Sequence, residues 1–352
     1  MRIERLTPAL APAWDQFITE HPDGWFFHSG AWLEYQTYYR EGNADLSFAL
    51  VEERDVSMRT PGPCVGWVST ERRVIGVVPL MRSRGLDSAP EFSYSGDPLA
   101  AGLACDAEAA QVGAEHTLSL AREHGVRRAR IASSPFGSPC VLVLPEGQPI
   151  ETAANAAHRV VNLKADPCDL WHGVRKSYRS LIHGVEARYT FTTYGGEQWI
   201  GDQIAQQALG LAAYEGLHRS VVARSVAEHR PGAVGRSADT YRLQGDWLRA
   251  RHALIMVVED AGGVVGTAYW ILYKACAYYA SGAYARDDVA HAVIWRSLLA
   301  LRDAGVVEAS LGWQGVARTE KERNVEFQKR GFGGADIPVQ VMEIGFGEEA
   351  RP

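Results

Sequence analysis

The sequence predicts an α/β chain of two similar modules in tandem, each a mixed sheet flanked by helices. Three observations predict it. The 352 residues amount to about two domains at roughly 150 residues each, and the 46% apolar content gives both a core. Short apolar runs bounded by turn residues alternate with longer segments of helical spacing. The same order of elements then occurs twice, offset by about 180 to 190 positions, as in a duplicated domain. The first module is placed at 1–160 and the second at 161–352.

In the first module, strands are expected at 46–52, 74–81 and 91–95, a helix at 107–124 and a strand at 128–133. Gly125 falls where a helix end needs a left-handed residue. Ala165-Asp166-Pro167-Cys168 reads as a linker and helix cap, leading into a helix at 170–188 and a longer one at 198–224. The long helix shows Ile204, Ala208 and Leu211 on one face. A mobile loop is expected at 225–237, where Pro231, Gly232 and Gly235 fall. The second module has a hairpin, 253–259 and 264–273, around Asp260-Ala261-Gly262-Gly263. A third strand at 275–281 follows, with Gly282 opening a bend. Val293, Ile294, Leu298 and Leu301 recur at helical spacing before Gly305, and 307–312 closes the unit as a strand. Ile75-Gly76 matches Val265-Gly266, Ser95-Gly96 matches Ser281-Gly282, and Gly125 matches Gly305.

Composition excludes several classes. With 36 basic and 42 acidic residues, the net charge of -6 does not favour duplex DNA, so any nucleic-acid contact is local. No run approaches the ~18 apolar residues of a membrane span, and the N-terminus lacks a secretory pattern. A cytoplasmic protein is expected, and the abundance of Arg, Ala and Gly suggests a GC-rich bacterial source. Five scattered cysteines, Cys64, Cys105, Cys140, Cys168 and Cys276, read as buried free thiols. No His-Glu-x-x-His or Cys/His spacing points to a metal. The cluster Trp25, Phe26, Phe27 and Trp32 reads as core.

Strand, hairpin, strand, helix and strand, with a Ser-Gly bend ending the third strand, resembles the GNAT acyltransferase core. Two copies in one chain resemble the FemABX family of tandem-GNAT transferases, including GNAT relatives from natural-product pathways. The segment Asp303-Ala304-Gly305, Leu311-Gly312-Trp313 and Phe327-Gln328-Lys329-Arg330-Gly331-Phe332-Gly333 is similar to that family's signature. Val174-Arg175-Lys176-Ser177-Tyr178-Arg179 is similar to the basic helix opening its second domain. Leu217-His218-Arg219 to Arg224, then Arg236 and Tyr241, resembles its next helix pair. The resemblance implies transfer of an aminoacyl group from charged tRNA to the amine of a peptide-like acceptor, a peptidoglycan precursor or an antibiotic-type natural product. It further implies a cleft between the two GNAT units, with no cofactor beyond the donor.

Amide formation from an ester or thioester needs a neutral amine, a donor to the oxyanion and a route for a proton. In the GNAT architecture, the donor comes from a strand that splays from its parallel neighbour. The resemblance puts that place at Tyr278-Tyr279-Ala280-Ser281-Gly282, with a duplicate at Phe92-Ser93-Tyr94-Ser95-Gly96-Asp97. Tyr279 and Ser281 are candidates to protonate a leaving hydroxyl or position the acceptor, though strand residues are expected there anyway. Asp97, on a loop before Pro98, is a candidate to take the amine's proton; a purely structural turn is the alternative. Lys329 stands at the family's lysine, offsetting charge on the transferred carbonyl or binding the donor's phosphates; a solvated surface lysine is the alternative. Gln328 replaces the family's usual aromatic.

Arg175, Lys176 and Arg179 suit phosphates, since positions i and i+4 share a helical side. Arg224 and Arg236 are diphosphate clamps by resemblance. Tyr94, Trp313 and Phe332, inside the same motifs, are expected to line the substrate sites. Gln36 occupies a position where the family often has a lysine. Coenzyme A enzymes of this fold hold pyrophosphate in a glycine-rich turn at a helix start. Here Arg286-Asp287-Asp288-Val289-Ala290-His291 has no glycine and two carboxylates, which ranks aminoacyl-tRNA above acyl-CoA. An acyl-CoA-dependent N-acyltransferase and a non-catalytic binding protein on the same fold stand as alternatives.

Overall fold

The computed structural model describes residues 1–57, 68–85, 88–137, 150–152, 156–196, 203–228, 235–317 and 319–346. The chain divides into two units, Met1–Ala154 with Gln340–Pro352, and Asn155–Val339.

In the first unit the strands are β1 (Arg2–Arg5), β2 (Ala44–Asp45), β3 (Phe48–Ser57), β4 (Val68–Val78), β5 (Met81–Arg84), β6 (Pro90–Phe92), β7 (Leu99–Ala100), β8 (Leu103–Ala104), β9 (Arg128–Ala132) and β10 (Ile150–Thr152). The helices are α1 (Ala11–Glu20), α2 (Gly30–Tyr39) and α3 (Ala107–Glu123). The second unit holds β11 (Ala157–Asn162), β12 (Thr190–Gly195), β13 (Ala253–Asp260), β14 (Gly263–Tyr273), β15 (Cys276–Tyr284), β16 (Glu308–Gln314) and β17 (Ala335–Pro338). Its helices are α4 (Pro167–Gly173), α5 (Lys176–Glu186), α6 (Gln203–Ala227), α7 (Ala238–Arg249), α8 (Ala290–Asp303) and α9 (Glu320–Arg330). The last strand, β18 (Val341–Gly345), returns to the first unit and pairs with β9 and β10. The division therefore falls at 154/155 rather than 160/161, because β11 pairs with β16 and β17 in the second sheet.

Both units carry the same core of a hairpin, a parallel pair and a crossover helix. β6 and β9 run parallel across α3, as β15 and β16 do across α8. Gly125 (φ 61°) and Gly305 (φ 84°) end these helices in the left-handed conformation that glycine adopts without a Cβ clash. The matched dipeptides Ile75-Gly76 and Val265-Gly266 mark a duplicated bulge, whereas Ser95-Gly96 lies in a turn and Ser281-Gly282 in β15. The register shifts at Ile75, just before Gly76, and at Val265, just before Gly266. A Cβ on Gly266 would stand 3.0 Å from both Val289 and Val293, so the hairpin lies close under α8.

Pro79 lacks the N–H a ladder needs, and the expected strand 74–81 breaks there into β4 and β5. The first unit accordingly has two sheets among the described residues, β1-β3-β4-β8 and β10-β18-β9-β6-β5-β2, with β7 against β9. The second unit has one, β12-β13-β14-β15-β16-β11-β17. One of its faces packs Leu254, Met256, Val258, Trp270 and Leu311 against Ile182, Val293, Leu298 and Leu301. Each such side chain contributes about 1.5–3 kcal/mol by leaving water.

Three more expectations change. The helix at 170–188 is two helices, because Val174 and Arg175 are extended and the Arg175 N–H bonds the Gly331 carbonyl at 2.8 Å. The buried face of α6 is Gly210, Tyr214 and His218, whereas Ile204 is 74% exposed. Of the expected loop 225–237, the first residues extend α6 and Ser237 caps α7, while 229–234 lie outside the described residues. Cys105 and Cys168 are exposed rather than buried, since each sits at a helix start; Cys276 is half-buried, and Cys64 and Cys140 lie outside the described residues.

Candidate active site at the parting of two parallel strands

β15 and β16 pair in parallel only where 276–278 face 308–310. Beyond Tyr278 and Ser310 they part. β15 runs on to Tyr284 along β14, and β16 runs on to Gln314 along β11. The side of β15 that faced β16 then has no partner strand among the described residues, so backbone N–H and C=O groups face an open gap. Gly282 lies within this strand rather than opening a bend.

Two bulges decide which side chains meet there. Tyr269 pairs with Ser281 and Trp270 with Tyr279, so Ala280 is the extra residue of β15. The bulge sends Tyr279 and Ser281 to opposite faces. Tyr279 packs its ring 5.2 Å from Trp270 in the core and bonds the Tyr284 hydroxyl at 2.8 Å. Burial pushes its phenol up to about 12, which keeps it protonated and committed to that pair. Ser281 faces α6 and bonds the Tyr214 hydroxyl at 2.7 Å. The second bulge lies in β16, where the register with β11 shifts and Gly312 takes φ 94°.

Gly312 is bare for a reason. A Cβ there would stand 2.9 Å from Lys329 Nζ and 3.6 Å from the Tyr278 hydroxyl. The ammonium and the phenol thus stand together over the Gly312 backbone, at the mouth of the gap. Lys329 is half-buried in the last turn of α9, which Thr319 and Glu322 start with a capping box. Beside it, His158 on β11 bonds Ser310 Oγ at 2.9 Å and lies 4.2 Å from the Trp313 ring. Burial first, and the Lys329 cation second, depress His158 to about 3, so its imidazole is neutral.

Behind Ser281 lies a buried polar cluster. The Tyr214 oxygen also accepts from Arg236 Nη1 and Gln244 Nε2, each at 3.3 Å. His218, one turn along α6, bonds the Tyr241 hydroxyl at 2.8 Å. Burial, then Arg236 and Arg219, hold His218 at about 3.

The second unit therefore brings Lys329 and Trp313 together at the gap, with Ser281 farther along the open stretch of β15 and Arg236 behind it. Others of the expected residues fall elsewhere. Phe332 is core, 2% exposed, against Tyr178 and His291. Arg175 caps α5, its guanidinium 3.9 Å above the Phe327 ring, with exposed Lys176 and half-buried Arg179 on the same helix. Arg224 is exposed near the end of α6.

In the first unit the duplicate edge is closed. After β6 the chain leaves the sheet at 93–98 and β7 pairs again with β9, refilling the edge that is open in the second unit. Tyr94 is buried there, its phenol pushed up by burial and its hydroxyl bonded to the Phe27 carbonyl at 2.8 Å. Asp97 is exposed and holds a two-way backbone bridge with Tyr94. Gln36 is buried at 3% exposure.

His158, Tyr214 and Gln244 are not marked by any motif in the sequence; His158 reaches the site only because β11 pairs with β16. The available signal is the i, i+4 spacing of Tyr214 and His218, which puts both on one face of α6.

No family model and no curated protein matches this chain. Solved structures do. FemX superposes with a TM-score of 0.58 at 11% identity, covering 99% of this chain and 98% of its own. A conserved protein of unknown function from Bacteroides thetaiotaomicron gives 0.58 at 8%, covering 98% and 100%. The C-terminal domain of a protein assigned as a lysylphosphatidylglycerol synthetase of Agrobacterium fabrum gives 0.51 at 16%, covering 78% and 82%. The chain thus has an α/β fold of mixed sheets flanked by helices. More particularly, its fold is similar to that of FemX along almost the whole of both chains.

Proposed function

We propose that this chain is a Fem-like N-acyltransferase that moves an aminoacyl group from aminoacyl-tRNA to the amine of a peptide-like acceptor. The observation that carries the reading is the unclosed gap between β15 and β16, with Lys329 and the Tyr278 hydroxyl over Gly312 at its mouth. The neutral amine attacks the ester carbonyl, and a C–N bond forms as the carbonyl becomes an oxyanion. Lys329 and donors along the open β15 edge, Ser281 among them, offset that charge. The C–O bond then breaks, the ribose oxygen takes a proton, and the amine nitrogen loses one. His158, depressed to about 3, is too weak a base for that proton, so it serves to shape the gap.

A coenzyme A donor is the second reading. Asp288 at the start of α8 pairs with Arg188 at 3.0 Å, and Arg286 with Asp260 at 3.0 Å, leaving carboxylates where pyrophosphate would sit. That arrangement supports tRNA as the donor. The acceptor is a peptidoglycan precursor or a natural-product intermediate, and a cytoplasmic location suits either. Among the described residues, no helix is long and apolar enough to cross a membrane.

The test uses purified protein with tRNA charged with radiolabelled amino acids, or with acyl-CoA, and a panel of peptide amines. Ribonuclease-sensitive label in the amine is expected. Thiol release would favour coenzyme A, and binding without turnover would favour a non-catalytic protein.

A further inference from the structure

We propose that Tyr214 is a positioning residue that fixes Ser281 as a hydrogen-bond donor to the transferred acyl group. The proposal rests on the reading of Ser281 as a contact of the transferred acyl group. Tyr214 is fully buried, and three groups meet its oxygen: Arg236 Nη1, Gln244 Nε2 and Ser281 Oγ. A guanidinium and an amide NH2 can only donate. They occupy the two lone pairs of the phenol, so its single proton lies on the shortest of the three contacts, the 2.7 Å one to Ser281. Ser281 Oγ is then the acceptor of that bond, and its own hydrogen is left to donate to another group.

Ser281 is half-exposed, on the stretch of β15 past its last pair with β16. The ligand chemistry that fits an O–H left to donate is an oxygen acceptor, the ester carbonyl or its oxyanion, rather than the attacking amine. Arg236, a diphosphate clamp by resemblance, spends one N–H on setting this polarity. The Gln244 amide, 1% exposed with Oε1 unpartnered, is the element that decides it. Turning an acceptor toward Tyr214 would draw the phenol proton away from Ser281. No bond is made or broken in the device; it orients one proton.

Neutron diffraction on the deuterated protein reads the polarity without any assay. The Tyr214 deuteron is expected on the line to Ser281 Oγ; finding it toward Gln244, or the Ser281 deuteron on the Tyr214 oxygen, overturns the proposal. Kinetics read the consequence with the donor and amine that the unaltered chain turns over. Tyr214→Phe and Gln244→Glu should each lower kcat about 10- to 100-fold, with the KM of the donor within about threefold. On a Ser281→Ala background, neither should lower it further. Losses that add to that of Ser281→Ala would overturn the role even if both variants fold. If the unaltered chain transfers nothing to any amine, the acyltransferase reading fails, while the neutron map still decides the polarity.

Discussion

Lys329→Ala separates chemistry from packing most cleanly. The ammonium stands over the Gly312 backbone, 2.9 Å from where a Cβ would be, on a side chain that is only half-buried. A unit charge about 4 Å from a developing oxyanion is worth at most roughly 4 kcal/mol at the effective dielectric of a partly open site. Removing one oxyanion partner typically costs about 10²- to 10³-fold in kcat, which fits under that ceiling. Stability should fall by no more than about 1 kcal/mol, a Tm shift of roughly 2–4 °C. Removing the cation also removes the smaller cause depressing His158. Its titration should rise from about 3 yet stay below 6.5, since burial, the larger cause, is untouched. The assay is initial-rate transfer of labelled aminoacyl groups, with calorimetry and imidazole NMR on the same sample. A Tm loss large enough to explain the lost rate, or transfer within about threefold of the unaltered chain, would sink the argument.

Gly312→Ala leaves the cation in place but must both strain a φ of 94° and displace Nζ. It should cost about 1–3 kcal/mol of stability and lower kcat, as urea titration and rate measurement will show. Tyr279→Phe removes only the bond to Tyr284 on the core face, so transfer should stay within about threefold while stability drops by about 1 kcal/mol; a much larger rate loss would put Tyr279 in the chemistry. His158 and His218 titrate near 3 when folded, against 6.5 unfolded. The unfolded chain binds more protons below 6.5, so their contribution is complete above that pH and declines toward 3, by roughly 1.4 kcal/mol per pH unit for each. Urea midpoints at pH 7, 6 and 5 measure this, and His158→Gln with His218→Gln should flatten the slope. Neutralising Arg175 and Arg179 should flatten the salt dependence of tRNA binding; an unchanged slope moves the RNA surface elsewhere.

Much of the fold was readable because local chemistry and tertiary packing agreed. Gly125 and Gly305 end helices where the spacing placed them, and the 253–273 hairpin follows its turn residues. The errors lie where packing overruled spacing. α6 buries Tyr214 and His218 rather than Ile204, because a polar pocket with Gln244 and Arg236 waits on that side. The helix at 170–188 breaks because Arg175 bonds a segment more than 150 positions away. Of the site, the signature Leu-Gly-Trp and Lys329 were legible as motifs, and Ser281 as a strand end. His158 was not, since nothing in six residues of sequence says that they pair with β16.

By itself the sequence determined the duplication, the αβ class and the segment holding Lys329, because turn residues and apolar periods act over a few neighbouring positions. Only the tertiary structure decided which copy keeps a gap. Both copies carry the parallel pair, but β7 rejoins β9 in the first, while β15 parts from β16 in the second. Such pairings are contacts between distant strands, and a one-residue bulge at Ala280 sets which side chains face them; neither is encoded in any local window.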